Sequence, residues 1–277
     1  MNPLISSLVW QCKNFKVIRA YREIKKNQDN FDKFADKYLK KLLTHAKKNV
    51  PYYANIEIVD ISSIDKLPIM TKDILRNSPE LLISKDLGKR SFWYNTSGGS
   101  TGEPVRFIQD CEYDKWVSAT LFYYFKELLK CDWSKSVIVD VWGSPEDYEK
   151  NTTSFLNKLR NLIGNNTFIN AFEFGEKEML DALNVINRKK PDILKGYSNS
   201  LYDLACFIEN NKLNVYSPKL ISARSSMLYS EQREKIEKVF NTKIYDFYGS
   251  REASAIAGQC LDSSSKMCIF QFNNIIE

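Results

Sequence analysis

The pattern of apolar positions changes character along the chain. In the first fifty residues, Leu39, Leu42, Leu43 and Ala46 recur at i, i+3, i+4 and i+7, which predicts an amphipathic helix ending before Pro51. Lys37, Lys40, Lys41, Lys47 and Lys48 decorate it and are expected on a solvated face. Val9–Lys26 interleaves basic and apolar residues, so its helix either packs in the fold or rests on a membrane surface or a partner. Thr71 reads as a helix N-cap with Asp73 in the first turn. Beyond it the pattern turns to short strands. Ser91–Asn95 and Val105–Ile108 flank a Gly/Ser/Thr loop, and Glu112–Lys130 reads as an aromatic-rich helix. From residue 136 to 248, strands and helices alternate. The expected strands are Ser136–Trp142, Thr167–Phe172, Ile193–Lys195, Lys219–Ala223 and Lys243–Tyr248. The expected helices are Thr152–Leu162, Lys177–Arg188, Ser198–Glu209 and Ser230–Phe240. That alternation predicts an α/β fold with a mostly parallel sheet and helical crossovers. A helical region over residues 1–90 is expected to pack on a main α/β domain over 91–277.

Composition narrows the class. The 277 residues are 43% hydrophobic and 27% charged, which excludes a disordered or low-complexity chain. Forty Lys and Arg against 34 Asp and Glu leave a net charge of +6. That excess suits an anionic ligand such as a nucleotide and is too small to argue for nucleic acid. No run approaches the roughly 20 apolar residues of a membrane helix, so no stable membrane insertion is expected. The six cysteines are scattered, and the start of the chain lacks a basic region before its apolar run, so reduced thiols and a cytoplasmic setting are expected. His45 is the only histidine, which disfavours His-ligated zinc and Ser-His-Asp chemistry.

Two segments carry candidate chemistry. In Asn95–Pro104, Gly98, Gly99 and Gly102 let backbone N–H groups turn toward one anion, and Thr96, Ser97, Ser100 and Thr101 add hydroxyl donors. This suits polyphosphate oxygens, although a plain flexible turn has the same composition. The Walker pattern is not met, because no lysine follows these glycines. The second segment is Tyr245–Glu252, at a strand end. Tyr248 offers a ring to a base, Gly249 a tight turn, Arg251 a phosphate contact and Glu252 a carboxylate for a hard cation. A strand end with a surface Arg–Glu pair is the alternative.

The two segments and their order resemble the phenylacetate–CoA ligase family, in its CapK-like branch from capsular polysaccharide loci, among the adenylate-forming enzymes. His45–Tyr53, Leu67–Lys72, the double glycine of Thr96–Pro104, Lys195–Tyr197 with Ser200–Leu201, and Tyr245–Glu252 carry the resemblance. It implies an adenylate-forming N-terminal domain, incomplete at its C-terminal side. It also implies ATP-dependent activation of a small-molecule carboxylate as acyl-adenylate, with Mg²⁺ and with coenzyme A as an acyl acceptor. By the resemblance, Ser97–Thr101 hold the β- and γ-phosphates, and Thr96 to Gly102 as a whole form the phosphate loop. Tyr248, Gly249, Ser250 and Arg251 line the adenine and α-phosphate site, which Ser225 and Ser226 flank. Trp142, Tyr197 and Phe247 wall the acyl pocket. Glu252 and Thr101 are the implied catalytic residues, Glu252 as the Mg²⁺ ligand.

The sequence departs from the family in three places. The chain stops upstream of the ribose-binding aspartate, the hinge and the lysine-bearing C-terminal domain. The expectation is a truncated product or one half of a split ligase completed by a separate C-terminal domain or partner subunit, active or not. Paired serines stand at Ser225 and Ser226, where many relatives carry a small residue and a glutamate. Cys260 and Cys268 stand where some relatives build a zinc site, and free thiols are expected here because two ligands make a poor one.

Overall fold

The structure is a computed structural model and describes residues 14–97, 104–142, 165–172, 174–261 and 266–276. The chain divides into two compact units, each discontinuous in sequence. One takes Tyr124–Gly249 and Ala257–Cys268. The other takes Lys16–Tyr123, Ser250–Ile256 and Ile269–Glu277. The segment from 91 to 123, assigned by the sequence to the main domain, thus groups with the N-terminal helices.

The second unit begins with helices α1 (Phe15–Lys26) and α2 (Phe31–Asn49). The apolar face of α1 is buried in protein through Val17, Ile18, Ala20, Tyr21 and Ile24, so the membrane-surface alternative for this helix falls. The Tyr21 ring meets the Phe122 ring edge-on at 4.8 Å. On α2, Leu39 and Leu43 are buried and the five lysines exposed, as the stripe requires, while Leu42 is 63% exposed. Two short helices follow, α3 (Lys72–Asn77) and α4 (Pro79–Leu82). Thr71 holds the N-cap position of α3, but its side chain makes no capping bond. Strands β1 (Phe92–Thr96) and β2 (Arg106–Asp110) pair as an antiparallel hairpin, and helix α5 (Cys111–Tyr123) leaves it.

A charge network ties this unit together. Asp86 accepts from the Ser84 hydroxyl, faces His45 Nε2 at 3.2 Å and pairs with Arg90, which also reaches Asp110 at 2.8 Å. His45 is half-buried beside this network. The Ser84 hydrogen bond, followed by that of His45, holds the Asp86 carboxyl at about 2, below its ordinary 3.8. A folded value below the unfolded one stabilises at pH above the ordinary value, and the gain disappears as pH falls through the folded value. Asp86→Asn is expected to lower the melting temperature at pH 6, with the gap to wild type closing toward pH 2. A gap independent of pH would show that the carboxylate charge is not what matters.

Helix α5 runs on into a π-turn, Tyr124–Leu128, where a continuous α-helix was expected. Tyr124 and Phe125, 0% and 1% exposed, are both drawn into the core there. The ladder shifts to accommodate them, with the Leu129 N–H donating to the Tyr124 carbonyl at 2.9 Å.

The other unit is built on a sheet. Strands β3 (Ile138–Trp142), β4 (Asn166–Asn170), β5 (Ile193–Tyr197), β6 (Leu220–Arg224), β7 (Ile244–Tyr248), β8 (Ala257–Gln259) and β9 (Met267–Ile269) lie in the order β4-β3-β5-β6-β7-β8-β9. The first five are parallel and β8 is antiparallel to β7. Helices α6 (Glu176–Lys189), α7 (Ser198–Asn210) and α8 (Ser230–Phe240) supply the crossovers. The expected helix Thr152–Leu162 lies outside the described residues.

One face of this sheet carries Val139, Val141, Leu194, Ile221, Ala223 and Ile244. It buries them against Ile186, Leu201, Leu204, Ile208, Ile236 and Phe240 of the three helices. At the sheet's other end the strands correct the free-thiol expectation. Cys260 follows β8 and Cys268 lies in β9; the neighbouring strands bring the two Cα atoms to 6.6 Å and the thiols are joined as a disulfide. Cys111, Cys131 and Cys206 are free.

Candidate active site

Two regions hold the residues singled out by the sequence. The first lies at the hairpin. At the root of the glycine loop, the Ser97 N–H donates to the Val105 carbonyl at 2.9 Å, and the Val105 N–H donates to Ser97 Oγ at 2.8 Å. Thr96 ends β1, exposed, with its N–H capped by Asn95 Oδ1 at 2.9 Å. Gly98, Gly99, Ser100, Thr101 and Gly102 lie outside the described residues. Strand β2 then reaches the second motif. Gln109 Nε2 donates to the Arg251 carbonyl at 2.8 Å and accepts at Oε1 from Asn95 Nδ2 at 3.0 Å. Tyr113, at the start of α5, accepts from the Ser254 N–H at 3.0 Å and donates to the Glu252 carbonyl at 3.3 Å. The backbone of Arg251 is therefore fastened to β2 and that of Glu252 to α5. Ser250 closes a tight turn, its hydroxyl accepting from the Ala253 N–H at 3.0 Å. Glu252 is exposed and lines a pocket of about 280 Å³ with Arg90, Asp110 and Tyr113.

The second region is the carboxyl edge of the parallel sheet. The chain steps from β3 outward to β4, then crosses back over β3 to β5 and continues to β7. The direction of winding reverses between β3 and β5, and ligands of such sheets bind outside the carboxyl ends at that point. Trp142 ends β3 and Tyr197 ends β5, both half-buried, with ring centroids 4.9 Å apart. Phe247 packs instead against buried Tyr124 at 5.4 Å. Tyr248 is 59% exposed, and Gly249, Ser225 and Ser226 are exposed around it at the strand ends. Ser225 has φ of 71°, in the left-handed region.

Sequence reasoning missed the polar row beneath these rings. Asp140, Lys195 and Ser222 stand side by side on β3, β5 and β6. Period-two alternation puts them on the face opposite the apolar core. Lys195 Nζ lies 2.5 Å from Asp140 Oδ2, with both side chains 4% exposed. Burial would raise the Asp140 carboxyl, but the Lys195 and Arg224 charges outweigh it and hold the group below its ordinary value. Burial, with Arg224 adding, pushes the Lys195 amine down to about 8. The two groups form a buried ion pair. The only sign in the sequence is the charged pair itself, in strands that otherwise read as apolar.

A cavity of about 1180 Å³ was also missed. It opens among α2, residues 64–83, the hairpin and Gln271–Ile275, and none of the predicted site residues lines it.

The fold is shared with solved structures of an acyl-CoA ligase. Structures of 2-hydroxyisobutyryl-CoA ligase superpose on 87% of the chain. The one in the thioesterification state with 2-HIB-AMP and CoA gives a TM-score of 0.64 at 16% identity and is covered over 54% of its length. The postadenylation state with R3-HIB-AMP gives 0.65 at 16%, covered over 53%. In sequence the chain is similar to protein CapK of Staphylococcus aureus, 25% identical over 248 residues, 84% of this chain and 54% of CapK. No family model matches the chain. The chain spans about half the length of these relatives.

Proposed function

We propose that the protein takes part in ATP-dependent activation of a carboxylic acid as acyl-adenylate, in capsular or surface polysaccharide biosynthesis as the resemblance to the CapK-like branch implies. The observation that carries the reading is the tie between the two motifs. Gln109 on β2 and Tyr113 on α5 bond to the Arg251 and Glu252 carbonyls, beside the two strands that the glycine loop joins in sequence. In the proposed roles, Thr96 to Gly102 cradle the phosphates, Thr101 acting with Glu252 at the reacting phosphate. Tyr248 and Gly249 stack and seat the adenine, with Ser250 and Arg251 on the α-phosphate and Ser225 and Ser226 alongside. Trp142, Tyr197 and Phe247 bound the acid. The chain's contribution is to hold carboxylate and phosphorus in line and to place donors where charge develops. One exposed carboxylate at Glu252 fits Mg²⁺, which binds through one or two carboxylates plus the phosphates of its substrate. The ion would neutralise phosphate charge there. Coenzyme A is the proposed acceptor.

A second reading is a nucleotide-binding module that holds ATP without turnover. A pyrophosphate-exchange assay with ATP and a panel of acids separates the two. Exchange by this chain supports the first reading, and saturable ATP binding without exchange supports the second. Absence of both overturns the nucleotide site. Glu252→Gln is expected to weaken Mg-ATP by about tenfold or more, the worth of one charge-assisted contact, and to leave metal-free ATP binding unchanged. Equal loss with and without Mg²⁺ would remove Glu252 from the metal role.

A further inference from the structure

Arg224 ends β6 at the carboxyl edge of the sheet, half-buried, with its guanidinium 5.2 Å from the centre of the Trp142 ring. Among the described residues it has no hydrogen-bond or ion-pair partner, and its Nε is buried without one. One step down the strands, the polar row is also incomplete. Asp140, 3% exposed, leaves Oδ1 unpartnered, and Ser222, 1% exposed, leaves Oγ unpartnered. Asp140 already neutralises Lys195, so this corner holds two cations and one anion. An unpaired buried donor costs free energy that an incoming acceptor recovers, and a guanidinium fork fits an oxyanion in two parallel hydrogen bonds. The fork stands beside the Trp142–Tyr197 rings, at the point where the sheet topology reverses. Apolar walls with one unpaired cation suit an acid that has a carbon body and a charged far end.

The geometry points to Arg224 as the residue that determines acid specificity: it receives a second oxyanion of the substrate, so the preferred acids are dicarboxylates rather than plain fatty acids. This rests on the proposed function, since it takes the acid to sit against Trp142 and Tyr197. Lys195 and Asp140 lie beneath as a neutralised floor, and Arg224 is left as the only uncompensated charge of the three.

The test compares wild type, Arg224→Gln and Arg224→Lys by calorimetry with succinate, butyrate, AMP and inorganic phosphate, the acids with and without AMP present. Melting temperature and circular dichroism confirm that each variant is folded. Saturable succinate binding that weakens about tenfold or more in Arg224→Gln, the worth of a charge-assisted bond, and is partly kept in Arg224→Lys supports the inference, provided butyrate does not change. Succinate binding equal in all three proteins, or its absence in wild type, overturns it. Loss of AMP and phosphate affinity in Arg224→Gln, with succinate unaffected, also overturns it, by assigning the fork to the nucleotide. Failure of the activity reading appears elsewhere, as wild type that binds no ATP, and leaves the succinate comparison readable.

Discussion

Lys195→Met is expected to destabilise the protein by about 3–5 kcal/mol, measured by urea unfolding at pH 7, because it strands a buried carboxylate. Asp140 and Lys195 are each 4% exposed, 2.5 Å apart, and adjacent in register on neighbouring strands. Ser222, next in the row, donates to neither, since its hydroxyl has no partner. Arg224 contributes only its field from the strand end. Removing the ammonium therefore leaves Asp140 with one unmatched oxygen already and a second newly exposed to the same poverty of donors. The companion result discriminates between losing a bond and stranding a charge. Asp140→Leu combined with Lys195→Met is expected to recover most of the loss, because a buried ion pair replaced by apolar side chains of similar volume is about neutral. A single-variant loss below about 1 kcal/mol, the scale of an exposed pair, would mean that water reaches the row.

The second large effect centres on Tyr124. Its ring is 0% exposed, and its hydroxyl donates to the Gln259 carbonyl at 2.9 Å. Tyr124→Ala is expected to cost about 3–5 kcal/mol through the cavity it opens. The same ring explains a glycine. A Cβ at Gly258 would stand 2.7 Å from the Tyr124 ring, closer than carbon atoms pack, and the ring is buried and held by its hydroxyl bond to Gln259. Gly258→Ala alone is expected to cost about 1–3 kcal/mol as overpacking. In the Tyr124→Ala background it should cost almost nothing, because the clash is with the ring that has been removed. The coupling between the two sites, read from a double-mutant cycle, is the measurement; simple additivity would mean that the strand shifts to accept the methyl.

The parts of the fold that were legible share a physical cause. Strands buried in a parallel sheet are mostly apolar runs, so the expected Ser136–Trp142 and Ile193–Lys195 are found as Ile138–Trp142 and Ile193–Tyr197. Helix α8 matched Ser230–Phe240 residue for residue, with its stripe of Ile236 and Phe240 at i, i+4. The hairpin was visible because glycines and hydroxyl residues interrupt two aromatic or β-branched stretches. The π-turn was not, because an aromatic-rich helix looks the same whether its ladder runs i to i+4 or i to i+5.

For the site, the motifs were legible and their fastening was not. Nothing in a sequence says that Gln109 will reach the carbonyl of Arg251, since that bond is to backbone and depends on where β2 runs. Asp140, Lys195 and Arg224 sit on three different strands, and only the register of the sheet makes them neighbours. The Cys260–Cys268 link was likewise set by strand order rather than by spacing.

The left-handed backbone at Ser225 has one more consequence. It turns the chain abruptly as β6 ends, and the next carbonyl, that of Ser226, accepts from the hydroxyl of fully buried Ser198 at 3.0 Å. A conformation that most side chains resist is thus latched to the first residue of α7. The rim of the sheet at this point is thus shaped by the fold's own bonding.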